Sequence, residues 1–311
     1  MKMFKPEGFL IDTAENQSAM RTPYALDEAM RAGRILEARV VLCDSAHNLR
    51  VNLGCMYGII PRELGAVGIS DGSVRDIALI SRVNKSVCFY IEGFERDASG
   101  NTYAVLNRLR VQLDCMDGYI GALRPGDVID GRVTHLDGFG AFVDIGAGIS
   151  ALLPIDAISV SRIPHPSERF SVGESIKAVV RQIDDNGRIS LTHKELLGAW
   201  EENAARFKAG ETVAGIIRSV ESYGVFVELT PNLAGLAEPA DGVSAGQSAS
   251  VYIKSLIPER MKVKLIIIDA FSGEYVRPAK KYYFSGGHMD RFVYSPPSCS
   301  KVIESRFDWQ A

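Results

Sequence analysis

Gly126-Asp127-Val128-Ile129-Asp130-Gly131-Arg132-Val133 returns 84 residues later (210 − 126) as Gly210-Glu211-Thr212-Val213-Ala214-Gly215-Ile216-Ile217. The match runs on without a gap. Gly138-Phe139-Gly140-Ala141-Phe142-Val143 lies over Ser222-Tyr223-Gly224-Val225-Phe226-Val227, and Ala151-Leu152-Leu153-Pro154 over Gly235-Leu236-Ala237-Glu238. One fixed offset across the 29 positions from 126 to 154 marks an internal repeat, in which each copy builds one structural module. A weaker copy lies upstream at offset 93 (126 − 33). There Gly33-Arg34-Ile35-Leu36-Glu37-Ala38-Arg39-Val40 matches the segment from Gly126, and Tyr57-Gly58-Ile59-Ile60-Pro61 falls on Ser150-Ala151-Leu152-Leu153-Pro154.

Each copy reads as all-β. Short runs such as Ala141-Phe142-Val143-Asp144-Ile145 and Ile176-Lys177-Ala178-Val179-Val180 are separated by Gly, Asp and Asn turns. Asp184-Asp185-Asn186-Gly187-Arg188 holds the Asn-Gly pair that signals a two-residue hairpin. About five strands in ~70 residues suit a small closed barrel better than a two-sheet sandwich. Thr22-Pro23 reads as cap and first position of a helix running to Gly33. Between copies two and three, His193 to Lys208 reads as one helix with the stripe Leu196, Leu197, Trp200, Ala204 and Phe207 and Gly210 just past its end. That helix would either space two barrels by ~24 Å or lay its stripe on one of them.

The 311 residues are 46% hydrophobic and 23% charged, enough for real cores. No run approaches the ~18 apolar residues of a membrane helix, and the start shows no leader pattern. Cys43, Cys55, Cys88, Cys115 and Cys299 are scattered, odd in number and without a Cys-x-x-Cys, which points to a reducing, cytoplasmic setting. A net charge of −3 argues against a protein that coats duplex DNA through phosphates. It leaves room for single-strand binding, where stacking supplies much of the affinity.

At Gly131-Arg132-Val133, Gly138-Phe139-Gly140-Ala141-Phe142-Val143, Leu152-Leu153-Pro154, Val172-Gly173-Glu174, Ile183-Asp184 and Gly187-Arg188-Ile189-Ser190-Leu191-Thr192 the chain closely resembles the S-one RNA-binding domain (letter S, numeral one). This is the repeat of the bacterial small-subunit ribosomal protein of that name, found also in polynucleotide phosphorylase. The resemblance implies a mainly β chain of three tandem five-stranded oligonucleotide-binding (OB-fold) barrels joined by short helical linkers, plus a C-terminal β-rich extension. The expected division is 1–33 N-terminal arm and helix, 34–113 a degenerate first barrel, 124–197 the second, 208–269 the third and 270–311 the extension.

The resemblance implies that Phe139 and Phe142 in copy two, and Tyr223 and Phe226 in copy three, stack RNA bases, with Asp184 and Arg188 contacting the strand from a hairpin. Family members often carry His where this chain has Pro154 and Glu238. Copy three has Ile257 near the hairpin Asp, and Lys262 near the Arg if one residue is inserted in Ile257-Pro258-Glu259-Arg260. In copy one, offset 93 puts Ala46 and Leu49 at the ring positions, and the hairpin Asp97-Ala98-Ser99-Gly100-Asn101 lacks the arginine. Copy one therefore reads as a structural or docking barrel, as the family's N-terminal repeats do.

Stacking on an aromatic face tolerates any base, and single-stranded RNA exposes its bases. Strict alternation puts Phe139, Ala141, Val143 and Ile145 on one face, and Phe142 and Asp144 on the other. Phe142 then faces outward with Asp144, while Phe139 needs a bulge at Gly138 and Gly140 to leave the core. Asp184 is also a natural turn-forming residue, and Arg188 a natural solvated hairpin arginine. Residues 254–281 form one basic stretch, with Lys254, Arg260, Lys262, Lys264, Arg277, Lys280 and Lys281 against Glu259, Asp269 and Glu274. Tyr282, Tyr283 and Phe284 then face Phe292 and Tyr294 across Ser285-Gly286-Gly287-His288 as a hairpin, which either extends an RNA track or caps the third barrel.

Two enzyme motifs fail on context. Gly242-Val243-Ser244-Ala245-Gly246 lacks the strand before and helix after that a nucleophile elbow requires. Gly146-Ala147-Gly148-Ile149-Ser150-Ala151 runs into Pro154, Pro164 and Pro166 rather than a helix. His288 and Cys299 lack partners at metal-ligand spacing. The expectation is a non-catalytic protein without cofactor, metal, membrane or small-molecule substrate. Its expected partner is single-stranded RNA, mRNA in translation, with the small ribosomal subunit. An RNA-binding regulator or RNA-decay accessory off the ribosome and a protein-interaction scaffold are the alternatives.

Overall fold

The computed structural model describes residues 4–273 and 280–307. Three closed five-stranded barrels follow one another, each with its first strand between the second and fourth and its third strand parallel to the fifth. The first comprises β1 (Leu36–Cys43), β2 (Leu49–Asn52), β3 (Tyr57–Ile60), β4 (Ser86–Arg96) and β5 (Thr102–Asn107). The second comprises β6 (Val128–Asp137), β7 (Gly140–Gly146), β8 (Ile149–Pro154), β9 (Ser175–Ile183) and β10 (Ile189–Thr192). The third comprises β11 (Thr212–Glu221), β12 (Gly224–Thr230), β13 (Leu233–Ala237), β14 (Ser248–Ile257) and β15 (Lys262–Phe271). The period of two decides what is inside: Leu49, Val51 and Ile60 are buried in the first barrel, Val225, Val227 and Leu265 in the third.

The chain forms two compact units. One runs to Leu123 and includes Asp130–Arg132 and Asp144–Ser150; the other holds Arg124–Ile129, Val133–Val143 and the described residues from Ala151 on. In the first, α1 (Ala14–Ala19) and α2 (Pro23–Arg31) precede the barrel. The Thr22 hydroxyl accepts from the Ala25 N–H at 3.1 Å with Pro23 next, so the expected helix forms where its cap predicts. The six-residue α1 gave no period to read. Two further helices, α3 (Ile77–Ile80) and α4 (Arg108–Gly118), were not anticipated; Asn107 caps α4 by accepting from the Arg110 N–H.

Buried carboxylates hold the N-terminal segment to this unit. The Glu7 carboxylate accepts from Arg108 Nε at 2.6 Å, Arg108 Nη2 at 3.0 Å, Arg82 Nη1 at 3.2 Å and the Cys88 N–H at 3.1 Å. Burial pushes its pKa up, but these partners, Arg108 foremost, bring it below the ordinary value. Asp144 accepts from the N–H groups of Glu7, Gly146 and Gly148. Glu37 accepts from those of Gly8, Leu10 and Ile11. Lacking a cation at such range, both are pushed up by burial to about 7. Asp144 is thus not the exposed residue that alternation implied.

The second unit corrects the reading of the linker. His193 to Lys208 is not one helix: a 3-10 turn at Lys194–Leu197 ends at Gly198, whose φ of +88° no helix holds, and α5 (Trp200–Ala204) starts afresh. The Asn232 amide, fully buried, donates to the carbonyls of Lys194 and Gly198 and pins the break. Leu196, Leu197, Trp200 and Ala204 are buried, so the stripe packs rather than spaces. Glu228, on β12, accepts from Arg169 Nη2 at 2.5 Å and Arg218 Nε at 2.7 Å, and Arg218 Nη1 reaches Glu168 at 3.1 Å.

The C-terminal hairpin also differs. β16 (Arg291–Val293) pairs with β17 (Glu304–Arg306), not with 282–284. The Gly126 carbonyl takes the Met289 N–H and the Gly287 carbonyl takes the Val128 N–H, which holds the intervening turn to the second barrel's edge.

Two tests follow. Both raised acids bind a proton more tightly folded than unfolded, so the stability they contribute is complete below about pH 4 and lost as pH rises through about 7. Urea midpoints should therefore fall between about pH 5 and about pH 8, and Glu37→Gln should remove roughly half of the fall. Glu228→Ala removes the carboxylate that lies between two buried guanidinium groups, leaving Arg169 uncompensated and Arg218 with Glu168 alone, and should cost about 3 kcal/mol in the same titration.

Candidate nucleic-acid interface

In the third barrel, β11 and β12 join through a two-residue turn, Ser222-Tyr223, and Glu221 pairs with Gly224. Tyr223 is therefore at the tip, 64% exposed, and Phe226 lies three residues on, half-buried. Their rings meet edge to face, with centroids 6.2 Å apart at 87°. The second barrel repeats this arrangement: Phe139, 53% exposed, meets Phe142 at 5.8 Å and 88°. Phe139 faces outward because it sits in the turn before β7 starts at Gly140, not because of a strand bulge. Glycine is required after each tip ring: a Cβ on Gly140 would lie 2.5 Å from the Leu153 carbonyl oxygen, and one on Gly224 2.4 Å from that of Ala237.

A third ring, absent from the sequence reading, joins the second barrel's pair. His135 on β6 lies 5.9 Å from Phe142. It occupies the position of Ser219, which pairs with Phe226 in the third barrel. Only its place one strand over marks it, and no spacing rule within one copy finds it.

The hairpin residues shape the backbone. Between β9 and β10 the Asp184 N–H donates to the Arg188 carbonyl, and this pair encloses three residues, Asp185-Asn186-Gly187, rather than two. Asp184 Oδ1 accepts from the N–H of Asn186 at 2.9 Å and of Arg188 at 2.8 Å, and Gly187 takes φ +73°. Asp184 thus shapes the turn that carries exposed Arg188. In the third barrel the loop Pro258–Met261 is one residue longer and Ile257 pairs with Lys262, the insertion anticipated above. Lys262 is exposed; Lys254 is exposed and pairs with Glu238 at 3.2 Å.

The basic stretch is not one surface. Lys280 pairs with Glu174 and lies 4.3 Å from the Phe170 ring centroid; Lys281 lies 4.5 Å from that of Tyr283. Arg277 and Glu274 lie outside the described residues. Tyr282 packs on His193, which burial holds down to about 4, and Tyr294 is buried in the third barrel's core. Gly242–Gly246 is an exposed loop. Among the described residues no three His, Cys, Asp or Glu side chains gather as a metal site, and no helix is long and apolar enough to cross a membrane.

Copy one requires a correction of register. Leu42 pairs with Arg50, and Arg50 with Ile59, as Ser219 pairs with Phe226 and Phe226 with Leu236. Arg50, not Leu49, stands at the strand-ring position, because the first barrel's turn is one residue longer, Ser45-Ala46-His47 against Ser222-Tyr223. Leu49 is core.

Residues 122–194 match the family model of the S1 RNA binding domain. Over 268 residues the chain is 29% identical to small ribosomal subunit protein bS1 of Staphylococcus aureus strain COL, covering 81% of this chain and 66% of that protein, just under two thirds. Over 193 residues it is 30% identical to the protein of the same name from Staphylococcus saprophyticus, covering 57% and 49%. Among solved structures, GSP13 from Bacillus subtilis matches 25% of the chain and 60% of its own at 29% identity and TM-score 0.24. A multidomain protein with nucleic acid binding domains from Streptococcus pneumoniae matches 79% and 76% at 14% identity and TM-score 0.25.

The turn-shaping role of Asp184 is testable by substitution. Asp184→Ala loses the acceptor oxygen of two backbone N–H groups and should cost about 1 kcal/mol of stability, whereas Asp184→Asn keeps an acceptor oxygen and should cost little. RNA affinity should follow the same order in a titration; equal losses in both variants would mean that the charge itself meets the strand.

Proposed function

From a chain that carries an S1 RNA-binding domain and is related over most of its length to bacterial ribosomal proteins bS1, we propose a non-catalytic binder of single-stranded RNA. The observation that carries this is the recurrence, in barrels two and three, of one edge-to-face ring pair with its tip ring exposed. Each pair is accompanied, at equivalent places where the last strand begins, by a cation: Arg188 just before β10 or Lys262 at the start of β15. Bases stack on the rings without regard to sequence, and the cations meet phosphate or base edges. The finer reading is capture of mRNA for the small ribosomal subunit, with barrels two and three on the RNA.

Fluorescence anisotropy with labelled single-stranded RNA checks the binding. Replacing Phe142 and Phe226 together with alanine should weaken it by about 1–3 kcal/mol per ring, with an unchanged circular dichroism spectrum. A double variant that binds as tightly as the parent would sink the stacking account. Co-sedimentation with small ribosomal subunits tests the finer reading; an RNA binder that stays at the top of the gradient is an off-ribosome regulator instead.

A further inference from the structure

The first barrel reads as degenerate by sequence, yet its corresponding surface carries an ordered stack of three side chains. Arg50 on β2 places its guanidinium 4.0 Å from the Tyr57 ring centroid on β3. Tyr57 in turn lies parallel to Tyr103 on β5, centroids 5.5 Å apart at 10°. These are adjacent strands of the barrel, and the stack crosses them in order.

Register shows what the three residues replace. Ile59 pairs in parallel with Val105 as Leu236 does with Lys264 and Leu152 with Ser190. Two residues earlier along the chain stand Tyr103 on β5, Lys262 on β15 and Arg188 just before β10. Arg50 holds the place of Phe226, as shown above. Ring and cation have therefore changed places between the second and fifth strands. Tyr57 adds a ring where the other barrels have Ser150 and Ala234.

The stack is not needed to close the barrel. Leu49, Val51, Ile60 and Ala104 fill the interior, while Arg50 is exposed and the two tyrosines half-buried on the outside. It is also held in place: Tyr57 Oη donates to Asp97 at 2.7 Å and Tyr103 Oη to Glu95 at 2.6 Å, which anchors the tips of both rings. Arg50 has no ion pair among the described residues, so its outward plane and N–H groups face solvent. A rigid stacked platform ending in an arginine plane is what unstacked bases lie on, and its prior order lowers the cost of binding.

We propose that the first barrel is a third single-stranded RNA site, with bases stacking on the Arg50–Tyr57–Tyr103 ladder. This rests on the RNA-binding reading of the other two barrels and extends it to a surface they do not include.

The test is photo-crosslinking of the full chain to single-stranded RNA of about 30 nucleotides, long enough for three sites of this type, carrying 5-iodouridine throughout and mapped by peptide mass spectrometry. Cross-links are expected at Tyr57 or Tyr103 as well as at the ring pairs of barrels two and three. Arg50→Gln with Tyr103→Leu should abolish the first-barrel cross-link, leave the others, and weaken binding of the long RNA roughly tenfold. Tyr103→Phe keeps the ring and should keep the cross-link, so a folding defect in the double variant leaves the proposal exposed to test. Cross-links confined to barrels two and three would overturn the first-barrel site and leave their RNA binding standing. No cross-link in any barrel would overturn both.

Discussion

Closure of a five-stranded barrel, with side chains alternating in and out, is the constraint on which the rest of this chain depends. Inward positions must fill a narrow interior, so they stay apolar in every copy, mostly Val, Leu, Ile and Ala, with Phe89 added in the first. Close approach of the neighbouring strand removes even a Cβ at Gly140 and Gly224. Outward positions carry no such obligation. The three copies have therefore kept their interiors and diverged outside, where Phe142, Phe226 and Arg50 share a place with different chemistry.

The same constraint explains what was legible in the sequence. The offset of 84 exposed the repeat because barrels two and three have turns of equal length after their first strands, Gly138-Phe139 and Ser222-Tyr223. The repeated architecture followed from it, and the resemblance to the S-one domain supplied the ring pairs. Copy one was misread at Leu49 because a single extra residue in its first turn shifts an ungapped alignment by one, which in a strand exchanges inside for outside. Phe139 was placed by parity as if it were in a strand, and a turn residue obeys no parity. His135, Tyr57 and Tyr103 had no signature within their own strand: each is defined by neighbours on other strands.

The elements that sequence pattern missed are those fixed by polar burial. The break at Gly198 looks like continuous helix until Asn232 claims the carbonyls on either side. The N-terminal segment has no strong period, yet Glu7, Glu37 and Asp144 anchor it, and two of the three pay with pKa values near 7. Buried carboxylates met mainly by amides are poor sources of net stability but strict about geometry. They specify where the segment lies rather than how strongly it is held.

A chain with a net charge of −3 is an unusual RNA binder if phosphate attraction is the measure. The proposed interface removes the difficulty. In each barrel the rings outnumber the cations: His135, Phe139 and Phe142 with Arg188; Tyr223 and Phe226 with Lys262; Tyr57 and Tyr103 with Arg50. A guanidinium is itself a flat π-system that stacks on bases, which an ammonium is not. The ring-for-cation exchange in the first barrel therefore keeps a stacking surface even where the aromatic is lost from the second strand. Lysine at residue 50 would keep the charge and lose that surface. What the three barrels have in common is planar area presented across adjacent strands, and charge is secondary to it.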